Sequence, residues 1–158
     1  MHMRKVGMGL GAAVAVGGLL GVGALVAVKS PVGELLLRYG CGGDEEQLGE
    51  LLAAEGVLED APDGAALDGD TYRTCDDDDL FVAVGRTYAY SGSRASALDH
   101  YRAAQGWNTV GGPGDGCFSR PVGVLAGDVT AYLTVDGPRE GTLRVEIIAD
   151  RGGSAWCG

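Results

Sequence analysis

The sequence predicts an α+β protein: an N-terminal transmembrane helix, then a two-layer domain in which an antiparallel sheet carries one or two helices on one face, braced by disulfides. Three observations point there. Val6 to Val28 run 23 residues without a charge, a proline or an amide side chain, and all four cysteines, at 41, 75, 117 and 157, follow that run. Beyond Cys41, two stretches with helical apolar spacing are set among stretches of strict alternation, the pattern of helices packed on an antiparallel sheet.

At about 1.5 Å per residue, the uncharged run makes a helix of about 35 Å, enough to cross a hydrocarbon core of ~30 Å with some tilt. Arg4 and Lys5 precede it and only Lys29 follows it closely. The positive-inside rule therefore places the N-terminus in the cytoplasm and the rest of the chain outside. The resulting division is a cytoplasmic tail over 1–5, a transmembrane helix over 6–28 with the lipid bilayer as its partner, a stalk over 29–40, and an extracytoplasmic domain over 41–158. A cleavable signal peptide is the competing reading, because Val22, Gly23 and Ala24 offer a small-residue cleavage site. The length of the run favours a retained signal-anchor, and cleavage would leave a secreted protein of the same fold. Gly7/Gly11 and Gly17/Gly21 have the spacing of close helix pairs, but seven glycines in one span produce such spacings by chance. Arg38, Tyr39 and Gly40 before Cys41 do not form the apolar-small-small approach to a lipid-modified cysteine.

Within the domain, Asp44 reads as an N-cap with Gln47 three residues on, Leu48, Leu51 and Leu52 form an apolar stripe, and Gly56 stands where a helix would stop. This predicts a helix over 44–55. Residues 56–79 hold Pro62, three glycines and many acids, which is loop chemistry. From Leu80 to Tyr90 the apolar residues Leu80, Val82, Val84, Tyr88 and Tyr90 alternate, giving a strand whose face Arg86 interrupts. Ala97, Leu98, Tyr101 and Ala104 share one face of a helix over about 94–105, ended by Gly106, with Trp107 packing back on it. A short strand over 107–110, a glycine-rich hairpin loop over 111–116 and a return over 117–120 come next. Val129, Ala131, Leu133 and Val135 alternate with polar residues, as do Leu143, Val145, Ile147 and Ala149 after a turn over 136–141. These two strands form a hairpin with one dry face, shared with Leu98 and Tyr101.

Four cysteines in an oxidising compartment read as two disulfides, since no C-x-x-C pair supplies a zinc or redox motif. The favoured connectivity is nested, Cys75 with Cys117 and Cys41 with Cys157, because Cys41 and Cys157 bracket the domain and domain termini tend to lie close together. The rival, Cys41 with Cys75 and Cys117 with Cys157, makes two sequential loops. From Cys41 onward there are 8 arginines, no lysine and 21 acids, a formal charge of −13. Such a surface excludes nucleic acid as a partner and keeps the domain hydrated.

Catalytic motifs are missing. The two histidines are His2, in the cytoplasmic tail, and His100, on the expected wet face of its helix. There is no nucleophile elbow, zinc-binding helix or phosphate-cradling glycine loop. No catalytic residue, cofactor or metal ligand is assigned, and the protein is expected not to be an enzyme. The run Asp76–Asp79 offers hard oxygen ligands, yet Asp68-Gly69-Asp70 departs from a calcium loop at Tyr72 and Arg73. A solvated acidic turn is the plainer reading. Thr74–Asp79 (TCDDDD), Gly85–Tyr88 (GRTY) and Ala97–Trp107 (ALDHYRAAQGW), behind a Gly/Ala/Val-rich span, resemble the small uncharacterised membrane-anchored or secreted proteins of high-GC actinobacteria. That resemblance spans about 41–157 and implies location and fold, with no activity attached. The expected role is a non-catalytic binding or structural accessory of the cell envelope, its partner an envelope protein or wall component. The alternative is a calcium-dependent adhesion or sensing module using the acidic turn.

Overall fold

The computed structural model describes residues 41–124 and 127–157, with the side chains of 124–128 left aside. The expected tail, span and stalk over 1–40 lie outside the described residues. Among the described residues no helix is long and apolar enough to cross a membrane.

A seven-stranded, wholly antiparallel sheet forms one layer. Its strands are β1 (Ala66–Leu67), β2 (Tyr72–Cys75), β3 (Phe81–Ala89), β4 (Asn108–Val110), β5 (Cys117–Val124), β6 (Gly127–Arg139) and β7 (Thr142–Asp150). The spatial order is β1-β3-β7-β6-β5-β4, with β2 beside β1 on the same edge of β3. Helices α1 (Gly43–Ala53) and α2 (Arg94–Arg102) form the second layer. Helix α1 packs on β2 and β3, and α2 on β6. This is the α+β architecture that the periodicities predicted.

Register explains the core. One cross-strand row runs Arg73, Val84, Ile147, Leu133, Phe118 and Thr109, and the next runs Cys75, Val82, Ala149, Ala131 and Arg120. Every second residue of each strand thus faces the helices. Val84, Ala131, Leu133, Leu143, Val145, Ile147 and Ala149 are all fully buried and share one cluster with Leu98 and Tyr101. The expected dry face of β6 and β7 is therefore present, with Val129 only partly buried at its margin.

Helix α1 starts one residue before the expected N-cap. Gly42 is the cap, Glu45 Oε2 accepts the Gly42 N–H at 2.9 Å, and Asp44 falls inside the first turn. The chain can come this close to the sheet because Gly49 faces it: an added Cβ would meet Arg73 Cδ at 2.7 Å and Val82 Cγ1 at 3.3 Å. Helix α2 is capped by Ser93, whose hydroxyl accepts the Ser96 N–H at 3.1 Å, the expected use of serine at that position.

Three expectations are corrected. The segment 56–79 is not one loop. Val57 and Leu58, in a single 3₁₀ turn, are core residues, and β1 and β2 pair with β3. The hairpin turn is shorter than 136–141: β6 continues through a bulge between Asp136 and Arg139, and Glu140 and Gly141, at φ 52° and 81°, make the two-residue turn. Two successive positive φ values are what a type I′ hairpin needs. The return strand also runs on to Val124, past the expected end at Arg120.

Candidate functional site

The cysteines pair as two sequential loops, Cys41 with Cys75 and Cys117 with Cys157, each with Cα atoms 6.1 Å apart. The nested arrangement is overturned by strand order. Cys75 ends β2 on one side of the sheet, while Cys117 opens β5, four strands away along β2-β3-β7-β6-β5. At ~4.8 Å per strand that is about 19 Å, far beyond the span of a disulfide. All four cysteines are bonded.

The acidic run makes a turn held by its own carboxylates. Asp76 Oδ1 accepts the N–H groups of Asp78 and Asp79, each at 2.9 Å, and Asp77 Oδ1 accepts the Cys41 N–H at 2.8 Å. Among the described residues no group of three or more His, Cys, Asp or Glu side chains is placed to hold a metal ion. His100 is not a free surface histidine. Its Nε2 lies 3.0 Å from the Asp60 carbonyl and 3.5 Å from Asp60 Oδ2, tying α2 to the segment after the 3₁₀ turn. Arg86, on the dry face, reaches the rim and donates to Glu59 at 3.2 Å. Tyr101 is wholly buried, and burial pushes its phenol well above the ordinary range.

The face of the sheet away from the helices carries the most organised polar cluster. One cross-strand row there runs Tyr72, Gly85, Glu146, Thr134 and Cys117. Tyr72 donates to Glu146 Oε1 at 2.8 Å and accepts from Arg144 Nε at 2.7 Å, while Arg144 Nη2 donates to the same carboxylate oxygen at 2.8 Å. The guanidinium also lies over the Tyr72 ring, 4.9 Å from its centroid. Burial, then the hydrogen bond to Glu146, push the Tyr72 phenol up to about 12. It stays protonated at neutral pH, so the trio is a fixed hydrogen-bonding patch and not an acid–base pair. Half-buried Tyr132 and Ile148 occupy the neighbouring row of this face.

Gly85 makes the patch flat. A Cβ there would collide with the Tyr72 ring and hydroxyl and come within 2.8 Å of the Val145 carbonyl oxygen. We expect Gly85→Val to displace Tyr72 and cost about 1–3 kcal/mol in urea unfolding, the usual range for overpacking. An unchanged midpoint would mean the ring does not lie across the glycine.

The C-terminal residues form a strap over the same face. After β7 the chain makes no further ladder, but Asp150, only 4% exposed, gathers it. Its Oδ1 accepts the N–H groups of Gly153 and Ser154 at 2.5 and 3.1 Å, and its Oδ2 accepts the Trp156 indole N–H at 3.0 Å. Trp156 packs on Phe81 with ring centroids 4.7 Å apart, and Cys157 bonds to Cys117 on β5. A cavity of about 470 Å³ adjoins that disulfide, with Arg94, Asp115, Asp136 and Trp156 in its wall.

Sequence reasoning missed Tyr72, Glu146, Arg144 and Asp150 as partners. Tyr72 and Thr74 do show β-type alternation within the stretch read as loop, a signal too short to stand alone. No protein-family model, curated protein or solved structure matches this chain.

Proposed function

We propose that this protein is a non-catalytic, single-pass membrane protein whose domain beyond residue 40 works outside the cytoplasm as a binding or structural accessory of the cell envelope. The observation that carries the reading is that all four cysteines lie beyond the uncharged run 6–28 and pair within bonding distance, with none left free. Full pairing suits an oxidising compartment. The binding surface is the outer sheet face, where Tyr72, Arg144 and Glu146 present a preorganised aromatic and charged patch. Arg144, about half exposed, is its accessible donor to a carboxylate or hydroxyl of an envelope protein or wall component.

Two measurements test this. N-terminal sequencing of the native protein should begin at the initiator region, and protease added to intact cells should remove a C-terminal epitope. A start near Leu25 would replace the anchor with a cleaved, secreted protein, and a protected epitope would overturn the outside placement. Crosslinking from intact cells with the full-length chain should capture a partner that Arg144→Ala loses. Calcium dependence is separated by melting curves. Calcium and chelator should give the same midpoint, since a ligand held only by the folded state would raise it.

A further inference from the structure

We propose that the cavity beside the Cys117–Cys157 bridge is a subsite for a neutral oligosaccharide, laid along the outer sheet face with Trp156 as its stacking platform. The proposal rests on that face being the binding surface and names the chemistry it takes. The space of about 470 Å³ is within the usual size of a ligand cleft. Its wall sets the half-buried Trp156 ring, the disulfide and Val110 beside Arg94, Asp115 and Asp136.

The hydrogen-bond inventory decides what kind of ligand fits. Each Nη of Arg94 donates to two carbonyls, those of Val135 and Gly137 for one and of Gly114 and Asp115 for the other. The Trp156 indole N–H is taken by Asp150, and the Thr134 hydroxyl donates to the Glu146 carbonyl oxygen at 3.4 Å. Nearly all the side-chain donors of the wall are therefore spent. The acceptors are not. Asp115 uses Oδ2 on the Gly112 N–H, and Asp136 uses Oδ1 on Arg139 Nη2 at 3.2 Å, which leaves the second oxygen of each exposed carboxylate. An acceptor-rich wall suits a ligand that brings its own O–H groups.

Charge argues for a neutral one. On a domain with 8 arginines against 21 acids, this stretch is balanced, with Asp115, Asp136 and Glu146 against Arg94, Arg139 and Arg144. Asp150, behind the indole, is buried and already holds three N–H groups. Neither an anion nor a cation gains from such a wall.

The balanced stretch is also continuous. Thr134, in the cavity wall, lies opposite Glu146 in the ladder, and Asp136 lies opposite Arg144. Cavity and Tyr72–Arg144–Glu146 patch thus form one strip, about 19 Å from β2 to β5 at ~4.8 Å per strand. That length suits a chain of sugar rings, with hydroxyls on Asp136 and Arg144 and one ring against the Trp156 indole. An extended peptide fits the strip poorly, because the strands' N–H and C=O groups are used within the sheet and the face offers side chains alone.

The test uses the full chain carrying Trp107→Phe, which leaves Trp156 as the one indole, in a detergent without a sugar headgroup. Neutral tetrasaccharides of glucose, mannose, galactose and N-acetylglucosamine are titrated to millimolar concentration while the emission is followed, with cadaverine and glucuronate as ionic controls. At least one tetrasaccharide should shift the emission saturably and bind more tightly than its monosaccharide. Asp136→Ala, at an exposed position outside the core, should weaken that binding about tenfold, the cost of one hydrogen bond to a charged group. No saturable response to any of the sugars, an unchanged affinity in Asp136→Ala, or tighter binding of cadaverine or glucuronate would each overturn the proposal. The underlying reading fails separately. Sugar binding that Arg144→Ala leaves unaltered would take Tyr72, Arg144 and Glu146 out of the binding surface and keep the cavity subsite. A crosslinked partner lost in Arg144→Ala, with no sugar response, would keep that surface and overturn the subsite.

Discussion

Leu133→Ala should cost about 2–5 kcal/mol of unfolding free energy, the range for deleting a fully buried leucine. Leu133 is 0% exposed and sits in β6 directly between Ile147 of β7 and Phe118 of β5, at the middle of the dry face. Strands on both sides are fixed by their ladders, so the void can close only by moving the helix layer. That places the cost toward the upper part of the range. Urea titration of wild type and variant gives the difference. Leu133→Met, which keeps the volume, should cost less than about 1.5 kcal/mol. A loss below ~0.5 kcal/mol for the alanine variant would show that Leu133 does not face the core.

Asp150→Ala should be about as damaging at neutral pH, on the order of 4–5 kcal/mol, the low end for three lost hydrogen bonds to a charged group at about 1.5–3 kcal/mol each. The expected signature is its pH dependence. Burial by itself would raise the Asp150 carboxyl. Hydrogen bonds from Ser154, Gly153 and Trp156 outweigh that and hold it below the ordinary carboxylate value. A carboxyl with a lowered folded value stabilises the fold fully above its unfolded pKa and loses that contribution as the pH falls through the folded one. The gap between wild type and variant should therefore be widest near pH 7 and narrow in acid. Urea midpoints at pH 7 and pH 3 measure it. A gap that is constant with pH would mean that the carboxylate charge contributes nothing.

Much of the fold was legible because long elements repeat their signal. Leu48 and Leu52, then Ala97, Leu98 and Tyr101, have helical spacing, and β3, β6 and β7 alternate over nine or more residues each. Short elements lack that redundancy. Val57 and Leu58 enter the core from a three-residue turn, and β2 has four residues, so their environment comes from β3 and α1 and not from local pattern. Cysteine pairing was hidden for a different reason. It depends on β5 lying on the far side of β6 and β7, a property of strand order that no local window contains. Tyr72 and Glu146 are 74 residues apart, and their contact likewise exists only once β2 and β7 flank β3. Asp150 carried a local hint, since Gly152 and Gly153 follow it closely and let the backbone fold onto its carboxylate.

Sequential pairing has a consequence for how the protein is made. If the residues beyond 40 reach an oxidising compartment in sequence order, Cys41 and Cys75 emerge before Cys117 exists there to compete. The first oxidation available is then already the native one. The second bridge must wait for Cys157, which follows the other three in the chain, so the 41–75 pair can close first and leave Cys117 to it. A nested pattern would have required the first bond formed to be undone by an isomerase. On such a route the order of emergence would direct each sulfur to its mate, with an oxidant but no proofreading required.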